Sequence, residues 1–196
     1  MERQKRKVKI PNGWNGVTIR MYQKFQEVKA KGLKKDDFNL EILGVICGID
    51  KEMIERLEIK SLNKILKTLK FLDTDIPENQ ELVKKVEWNG KNYGFIPNLS
   101  EITTGEYIDI EQHCKEGEKN LHSIMSILYR PIVKETKTRY SIEHYKPNED
   151  LEEEFLDFPI LPSISALSFF FHLGRTLPNA LGRYLKKEVV KMREAL

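Results

Sequence analysis

The dipeptide Asn89-Gly90 constrains the fold of this chain more than any other local feature. It separates two apolar runs, Leu82–Trp88 and Tyr93–Ile96. A two-residue hairpin of type I′ needs positive φ at both central positions, and Asn followed by Gly adopts these angles readily. The sequence therefore predicts an antiparallel hairpin near the middle of the chain, and Pro97 is predicted to end its second strand.

Helical periodicity dominates the region before this hairpin. Apolar residues recur there at three- and four-residue steps, with charged residues mostly between them. Capping and breaking residues predict the boundaries. In chain order these are a cap at Thr18 and an end at Gly32, a cap at Asp36 or Asp37 and an end at Gly48, and starts at Asp50 and Ser61. The first half is predicted to be a small helical bundle.

Helix and strand signals alternate after the hairpin. A helix is predicted from Thr103 or Thr104 to Gly117, and an apolar helix over Leu121–Tyr129 is predicted to end at Pro131. A second hairpin is predicted from the runs 132–134 and 139–144 on either side of Glu135–Thr138. The predicted fold class is α+β and mainly helical: an amphipathic helix bundle with two small antiparallel β-hairpins.

Composition shifts divide the chain into four predicted parts. Residues 1–16 form a basic flexible arm, and residues 17–146 form the helical and hairpin core domain. Residues 147–162 are acidic and flanked by prolines, which predicts a linker or a short exposed turn. Residues 163–196 contain an apolar helix, capped by Ser163 or Ser165, and a basic amphipathic helix.

Two parts of the core domain align loosely with each other. Val17-Thr18 followed by Tyr22 resembles Ile102-Thr103 followed by Tyr107, and Asn39-Leu40 resembles Asn120-Leu121. An internal duplication would produce this similarity, and so would chance similarity between amphipathic helices. We favour chance.

The last part has more apolar surface than one helix face can hold. Phe169, Phe170 and Phe171 are consecutive, so together they span about three-fifths of a helix circumference. We predict that this segment is either buried on most sides or docked against another subunit, with docking slightly preferred. The predicted protein-contact residues are Phe169, Phe170, Phe171, Leu181 and Leu185.

Overall composition excludes several classes of protein. Hydrophobic residues make up 40% of the 196 residues and charged residues 32%, which is typical of a folded globular chain and not of a disordered or collagen-like one. No apolar run approaches the roughly 20 residues of a membrane-spanning helix, and no signal peptide is recognised. Two cysteines predict a reducing compartment and no disulfide framework.

No catalytic, cofactor or metal constellation stands out in the sequence. The phosphate-loop and nucleophile-elbow patterns are absent. The best local metal candidates are Glu111, His113, Cys114 and His122, but adjacent His and Cys side chains on a helix point in different directions. We therefore predict no enzyme activity, no cofactor and no metal, and we interpret Cys47 as a small core hydrophobe.

Basic residues cluster near both ends, although the formal net charge is only +3. Such clusters would contact phosphates or an acidic protein without sequence readout. The alternative hypothesis of a DNA-binding accessory protein depends on these residues. They are Arg3, Lys5, Arg6 and Lys7 in the arm, and Lys186, Lys187, Lys191 and Arg193 in the last helix.

Four segments carry a resemblance to a known group of proteins. They are Val17–Glu27 (VTIRMYQKFQE), Trp88–Phe95 (WNGKNYGF), Leu99–Gln112 (LSEITTGEYIDIEQ) and Asn120–Pro131 (NLHSIMSILYRP). In these segments the chain resembles small virion and assembly proteins of tailed bacteriophages, particularly the crAss-like phages and other phages of Bacteroidetes hosts. The last forty residues show no such resemblance.

The resemblance implies a non-enzymatic virion component in the head-tail connector, neck or tail region. It implies many copies, assembled in the host cytoplasm, whose ends contact other virion proteins or copies of the same chain. A tail assembly chaperone, which leaves before maturation, is the close alternative.

Overall fold

The computed structural model describes residues 10–77, 81–115 and 117–170, and these form eight α-helices and a four-stranded antiparallel sheet. The helices are α1 (Ile19–Ala30), α2 (Lys35–Cys47), α3 (Lys51–Glu55), α4 (Ile59–Thr68), α5 (Thr104–Lys115), α6 (Leu121–Leu128), α7 (Glu149–Glu154) and α8 (residues 160–170). The strands are β1 (Lys85–Trp88), β2 (Lys91–Phe95), β3 (Tyr129–Glu135) and β4 (Tyr140–Ile142). The predicted α+β class with two hairpins is confirmed.

Side-chain caps begin two of the predicted helices. The Thr18 hydroxyl accepts a hydrogen bond from the Met21 amide at 3.3 Å, and the Asp50 carboxylate accepts one from the Met53 amide at 2.8 Å. Gly48 ends α2 in the left-handed conformation, with φ of 62°, which glycine adopts without a steric penalty. These three local predictions are confirmed.

Two predicted helix starts are wrong by one or two residues. α2 begins at Lys35, before Asp36 and Asp37, because the two carboxylates lie in the first turn, where the helix dipole favours negative charge without a cap bond. α4 begins at Ile59 and Ser61 is already inside it. Neither helix has a side-chain cap, so capping preference does not fix where it starts.

The two hairpins join through their inner strands into the order β1-β2-β3-β4. Asn89 and Gly90 have φ of 49° and 70°, as a type I′ turn requires. β2 pairs antiparallel with β3, with Phe95 opposite Tyr129. Pro131 is therefore inside β3, which corrects its predicted role as the residue that ends α6. A proline favours extended backbone in the residue before it, and α6 ends at Leu128.

The β4 strand bends back over β2 through one tyrosine. The Tyr140 hydroxyl donates to the carbonyls of Phe95 at 2.7 Å and Lys84 at 3.1 Å. Its ring lies directly on Gly94, where any Cβ atom would overlap the ring. Gly94 is thus needed for the close approach of β4. A separate ion pair joins Lys85 on β1 to Glu135 on β3.

Residues 147–162, predicted to be a linker, instead contribute to the core. They contain α7, which the Asn148 side chain caps, and a 3-10 turn. Phe155 and Phe158 are fully buried, stack on each other at 4.9 Å and contact Trp88. Most acidic side chains of this segment are exposed. Because only two phenylalanines stand among them, the sequence showed the charged side of the segment and not its buried side.

α8 begins at residue 160, earlier than the predicted caps Ser163 and Ser165. The two hydroxyls donate inside the helix, to the carbonyls of Pro159 and Pro162. Pro159 forms an isolated bridge with Thr18 just before α8, which ties the helix start to the start of α1. The buried position of both serines shows that α8 packs into the same core as the preceding elements.

The two segments of the suggested duplication share one local feature in the structure and differ in another. Thr18 and Thr103 each accept a hydrogen bond at the start of a 12-residue helix, α1 and α5. α2 has 13 residues and continues into α3, whereas α6 has 8 and passes directly into β3. The duplication remains a hypothesis.

Candidate docking surface

Two of the predicted contact residues lie in the described part of the chain, Phe169 and Phe170, which are the last described residues of α8. The other predicted contact residues lie outside the described residues. These are Phe171, Leu181 and Leu185, together with Arg3, Lys5, Arg6, Lys7, Lys186, Lys187, Lys191 and Arg193.

Phe169 and Phe170 differ in how far the molecule covers them. Phe170 is half-buried against the core, whereas the exposed fraction of Phe169 is 37%. One side of the Phe169 ring packs edge-to-face on Phe95, with 5.8 Å between ring centroids. Its remaining surface faces outward, so the described fold leaves the first aromatic residue of α8 incompletely covered.

The uncovered side of Phe169 lines a cleft of about 750 Å³. The lining of this cleft is mainly apolar, and its charged residues are Lys84, Glu101 and Arg139. Its lining residues are Leu82, Lys84, Phe95, Ile96, Pro97, Asn98, Leu99, Ser100, Glu101, Thr138, Arg139, Tyr140 and Phe169. A mainly apolar lining with a few charged groups is typical of surfaces that bind other protein chains.

Hydrogen bonds within residues 98–101 order one side of the cleft. The Asn98 side chain accepts from the Ser100 amide at 3.1 Å and donates to the Glu101 carboxylate at 2.7 Å, which orders the turn after β2. An Asn followed by such a turn is a recurring loop-closing pattern. This side of the cleft thus depends on three exposed polar residues within four positions, Asn98, Ser100 and Glu101.

The β3–β4 turn supplies the opposite wall. The Thr136 amide donates to the Arg139 carbonyl at 2.8 Å, and the Thr136 hydroxyl also bonds to Arg139. Burial raises the pKa of Tyr140, so its hydroxyl stays protonated and keeps donating to the Phe95 carbonyl. Tyr140 thus ties the start of β4 to the end of β2 beside the cleft.

The lining of the cleft offers little for acid-base chemistry. Among the described residues it contains one carboxylate, Glu101, which the Asn98 amide engages, and neither cysteine nor histidine. General acid-base catalysis needs a titratable pair within reach of a substrate. The chemistry of this surface therefore suits docking of an apolar group with polar contacts at the rim.

The strongest polar interaction of the core lies elsewhere and was not predicted. Glu106 and Arg130 form an ion pair at 2.6 Å, with side chains 5% and 10% exposed. The other Glu106 oxygen accepts from both the amide and the hydroxyl of Thr103, at 2.7 Å each. The sequence signal was present as a capping box, Thr103-x-x-Glu106, but its link to Arg130 depends on the tertiary fold.

This ion pair belongs to a network that joins α5 to the sheet. The Tyr145 ring lies under the Arg130 guanidinium at 6.0 Å, and its hydroxyl donates to the Asp109 carboxylate at 2.7 Å. Burial and the nearby Asp109 raise the pKa of Tyr145. Every acidic and basic group of the network contacts another of its members, which indicates a structural role.

The candidate metal ligands do not converge in the described part of the chain. No group of three or more His, Cys, Asp or Glu side chains is arranged there to hold a metal ion. His113 shares a 3.3 Å hydrogen bond with Asn120 instead. Burial raises the pKa of Cys114, and raises that of Cys47 to about 11, which keeps both as thiols.

Comparisons with known proteins add no assignment to this geometry. Among the described residues, every helix is too short or too polar to cross a bilayer. No protein-family model, no curated protein and no solved structure matches the chain.

Proposed function

We propose that this protein is a non-enzymatic structural component of a tailed bacteriophage virion, in the head-tail connector, neck or tail region. It docks through its terminal parts in a multi-copy assembly, with other virion proteins or copies of itself as partners. The four segments that resemble such proteins supply the class, and the surface around Phe169 supplies the mode of contact.

The observation that carries this proposal is the exposure of Phe169 in the lining of the cleft. An aromatic ring that is 37% exposed and packed on one side only gains free energy when a partner covers its other side. Covering the remaining exposed third of one such side chain is worth roughly 0.5–1 kcal/mol. Repeating that gain around a ring stabilises an assembly without any single strong contact.

The test is incorporation of the chain into finished particles. We expect quantitative mass spectrometry of purified particles to find the wild-type chain in many copies, and Phe169→Asp to reduce its incorporation at least several-fold. The matched control is Ile108→Asp, since Ile108 is also an exposed apolar residue, 52% exposed on α5, but does not line the cleft. Ile108→Asp should be incorporated like the wild type.

Two outcomes would contradict the proposal. A chain found in the assembling lysate and missing from finished particles would favour the assembly-chaperone alternative. Equal incorporation of Phe169→Asp and wild type would remove the cleft from the contact. Both variants must first give wild-type circular dichroism, so that a folding defect is not taken for a docking defect.

A further inference from the structure

A second apolar surface lies far from the cleft in sequence, on α4. No residue of this ten-residue helix is buried, and Ile59 at its start is 76% exposed. Leu62, Ile65 and Leu66 pack against the core but are only half-buried. α4 thus keeps part of its apolar stripe available on the outside of the molecule.

Lysines surround that stripe. We call Lys60, Lys64, Lys67 and Lys70, with Ile59, the basic ridge. All four lysines are exposed, and none of them forms an ion pair with another described residue. Residues 59–72 contain no Asp or Glu. Lysines three and four apart on a helix repel one another, so the basic ridge carries unfavourable energy that an anionic partner would relieve.

α7 shows the opposite pattern. Its acidic residues Glu149, Asp150, Glu153 and Glu154 are exposed, and we call these four the acidic face. Arg20 pairs with Glu153 at 3.5 Å and with nearby Asp157 at 3.1 Å. The other three carboxylates of the acidic face form no ion pair with a described residue. The first turn of α7 favours negative charge, but Glu154 lies at its last position and gains nothing from the helix dipole.

The two surfaces are opposite in charge, and the part of the basic ridge on α4 is similar in length to the acidic face. Lys60 to Lys67 spans about 10 Å along α4, and Glu149 to Glu154 spans about 8 Å along α7. No described ion pair joins the basic ridge to the acidic face within one molecule. Each surface therefore remains available to the complementary surface of another copy.

We infer that the basic ridge of one copy docks against the acidic face of a second copy. The contact is head-to-tail, because it joins two different surfaces of the same chain. Repeating it closes a ring or extends a filament, depending on the rotation between copies. This inference rests on the proposed multi-copy function and names the partner surface, which is distinct from the cleft at Phe169.

Charge reversal tests the pairing directly. The variant Lys64→Glu/Lys67→Glu changes the basic ridge, and Glu149→Lys/Glu154→Lys changes the acidic face while leaving the Arg20 pairs intact. We expect each variant to raise the apparent dissociation constant of self-association by roughly ten-fold in sedimentation velocity at low salt. A chain that carries all four substitutions should recover wild-type association, because the charges are then exchanged.

The matched control reverses two exposed lysines on α1, Lys24→Glu/Lys29→Glu. It changes the net charge by the same amount as the basic-ridge variant. This control should associate like the wild type. Association of either two-site variant at wild-type strength would overturn the inference, as would failure of the four-site chain to recover or a wild-type chain that never self-associates. If the charge variants behave like wild type while Phe169→Asp weakens association, the α4–α7 contact is wrong and the proposed multi-copy function stands.

Discussion

α4 and α6 are built from similar apolar residues, yet the fold treats them in opposite ways. Seven of the eight residues of α6 are buried, whereas none of the ten residues of α4 is. α6 packs between α5, α7 and the sheet and has no charged residue, while three lysines interrupt α4. The comparison teaches that an apolar stripe predicts a contact but leaves its partner open. The difference between the two helices in the sequence is the lysines within α4.

The largest expected effect is the loss of a buried counter-charge near α6, which we compare with the loss of an exposed counter-charge near α4. Glu106→Gln leaves the Arg130 guanidinium buried without its counter-charge, and we expect a loss of about 3–5 kcal/mol in the free energy of unfolding. The matched control is Glu52→Gln, which removes the exposed partner of Arg56. That pair should contribute at most about 0.5 kcal/mol. Urea denaturation of the full chain measures both.

The double variant Glu106→Gln/Arg130→Met sharpens this prediction. Because it removes the unpaired charge and keeps an apolar stem, it should recover much of the stability lost in the single variant. A double variant no more stable than Glu106→Gln alone would show that the loss has another cause.

Truncation of an apolar side chain should have the next largest effect. Leu128→Ala opens a cavity at a residue with 0% exposure, which we expect to cost about 2–5 kcal/mol. Ile59→Ala should change the free energy of unfolding by less than about 0.5 kcal/mol, because Ile59 is mostly exposed. Thermal and urea unfolding check both values, and equal losses would mean that α4 is buried in solution.

The smallest expected effect is a pH dependence at His122 on α6. Burial lowers the pKa of His122, and its Nδ1 finds no hydrogen-bond partner among the described groups. The unfolded chain therefore binds the proton more readily, so this contribution to stability is present above the unfolded pKa of about 6.5 and is lost as the pH falls below it. Nearby Glu152 and Glu153 oppose the shift.

We expect His122→Gln to reduce the loss of stability between neutral and mildly acidic pH, as measured by urea unfolding. His144→Gln is the control, because His144 is exposed. The same slope in His122→Gln and in the wild type would contradict the assigned cause.

Local chemistry explains which parts of the fold could be predicted from sequence. Asn89-Gly90, Thr18 and Gly48 act through their own backbone angles or a hydrogen bond within one turn, so their roles are visible in the sequence. The role of Pro131 in β3 depends on pairing with Tyr93, a residue 38 positions earlier. Long-range pairing of this kind leaves no local signal.

The candidate site shows the same division. Consecutive aromatics identified Phe169 as hard to cover, and it is partly exposed. The cleft beside it depends on Tyr140 reaching across β2 over Gly94 and on the Asn98 turn. The burial of Phe155 and Phe158 was missed because acidic neighbours dominate that segment. The Asn98 turn is local, whereas the Tyr140 contact and the burial of Phe155 and Phe158 are created by packing between distant elements.

The most direct test of the central claim is the molar mass of the isolated full-length chain in solution. Light scattering coupled to size exclusion, at two concentrations about a hundred-fold apart, should show a mass that rises with concentration above the 23.0 kDa of one chain. A mass of 23.0 kDa at both concentrations would contradict the claim that this protein completes its exposed surfaces with further copies of itself.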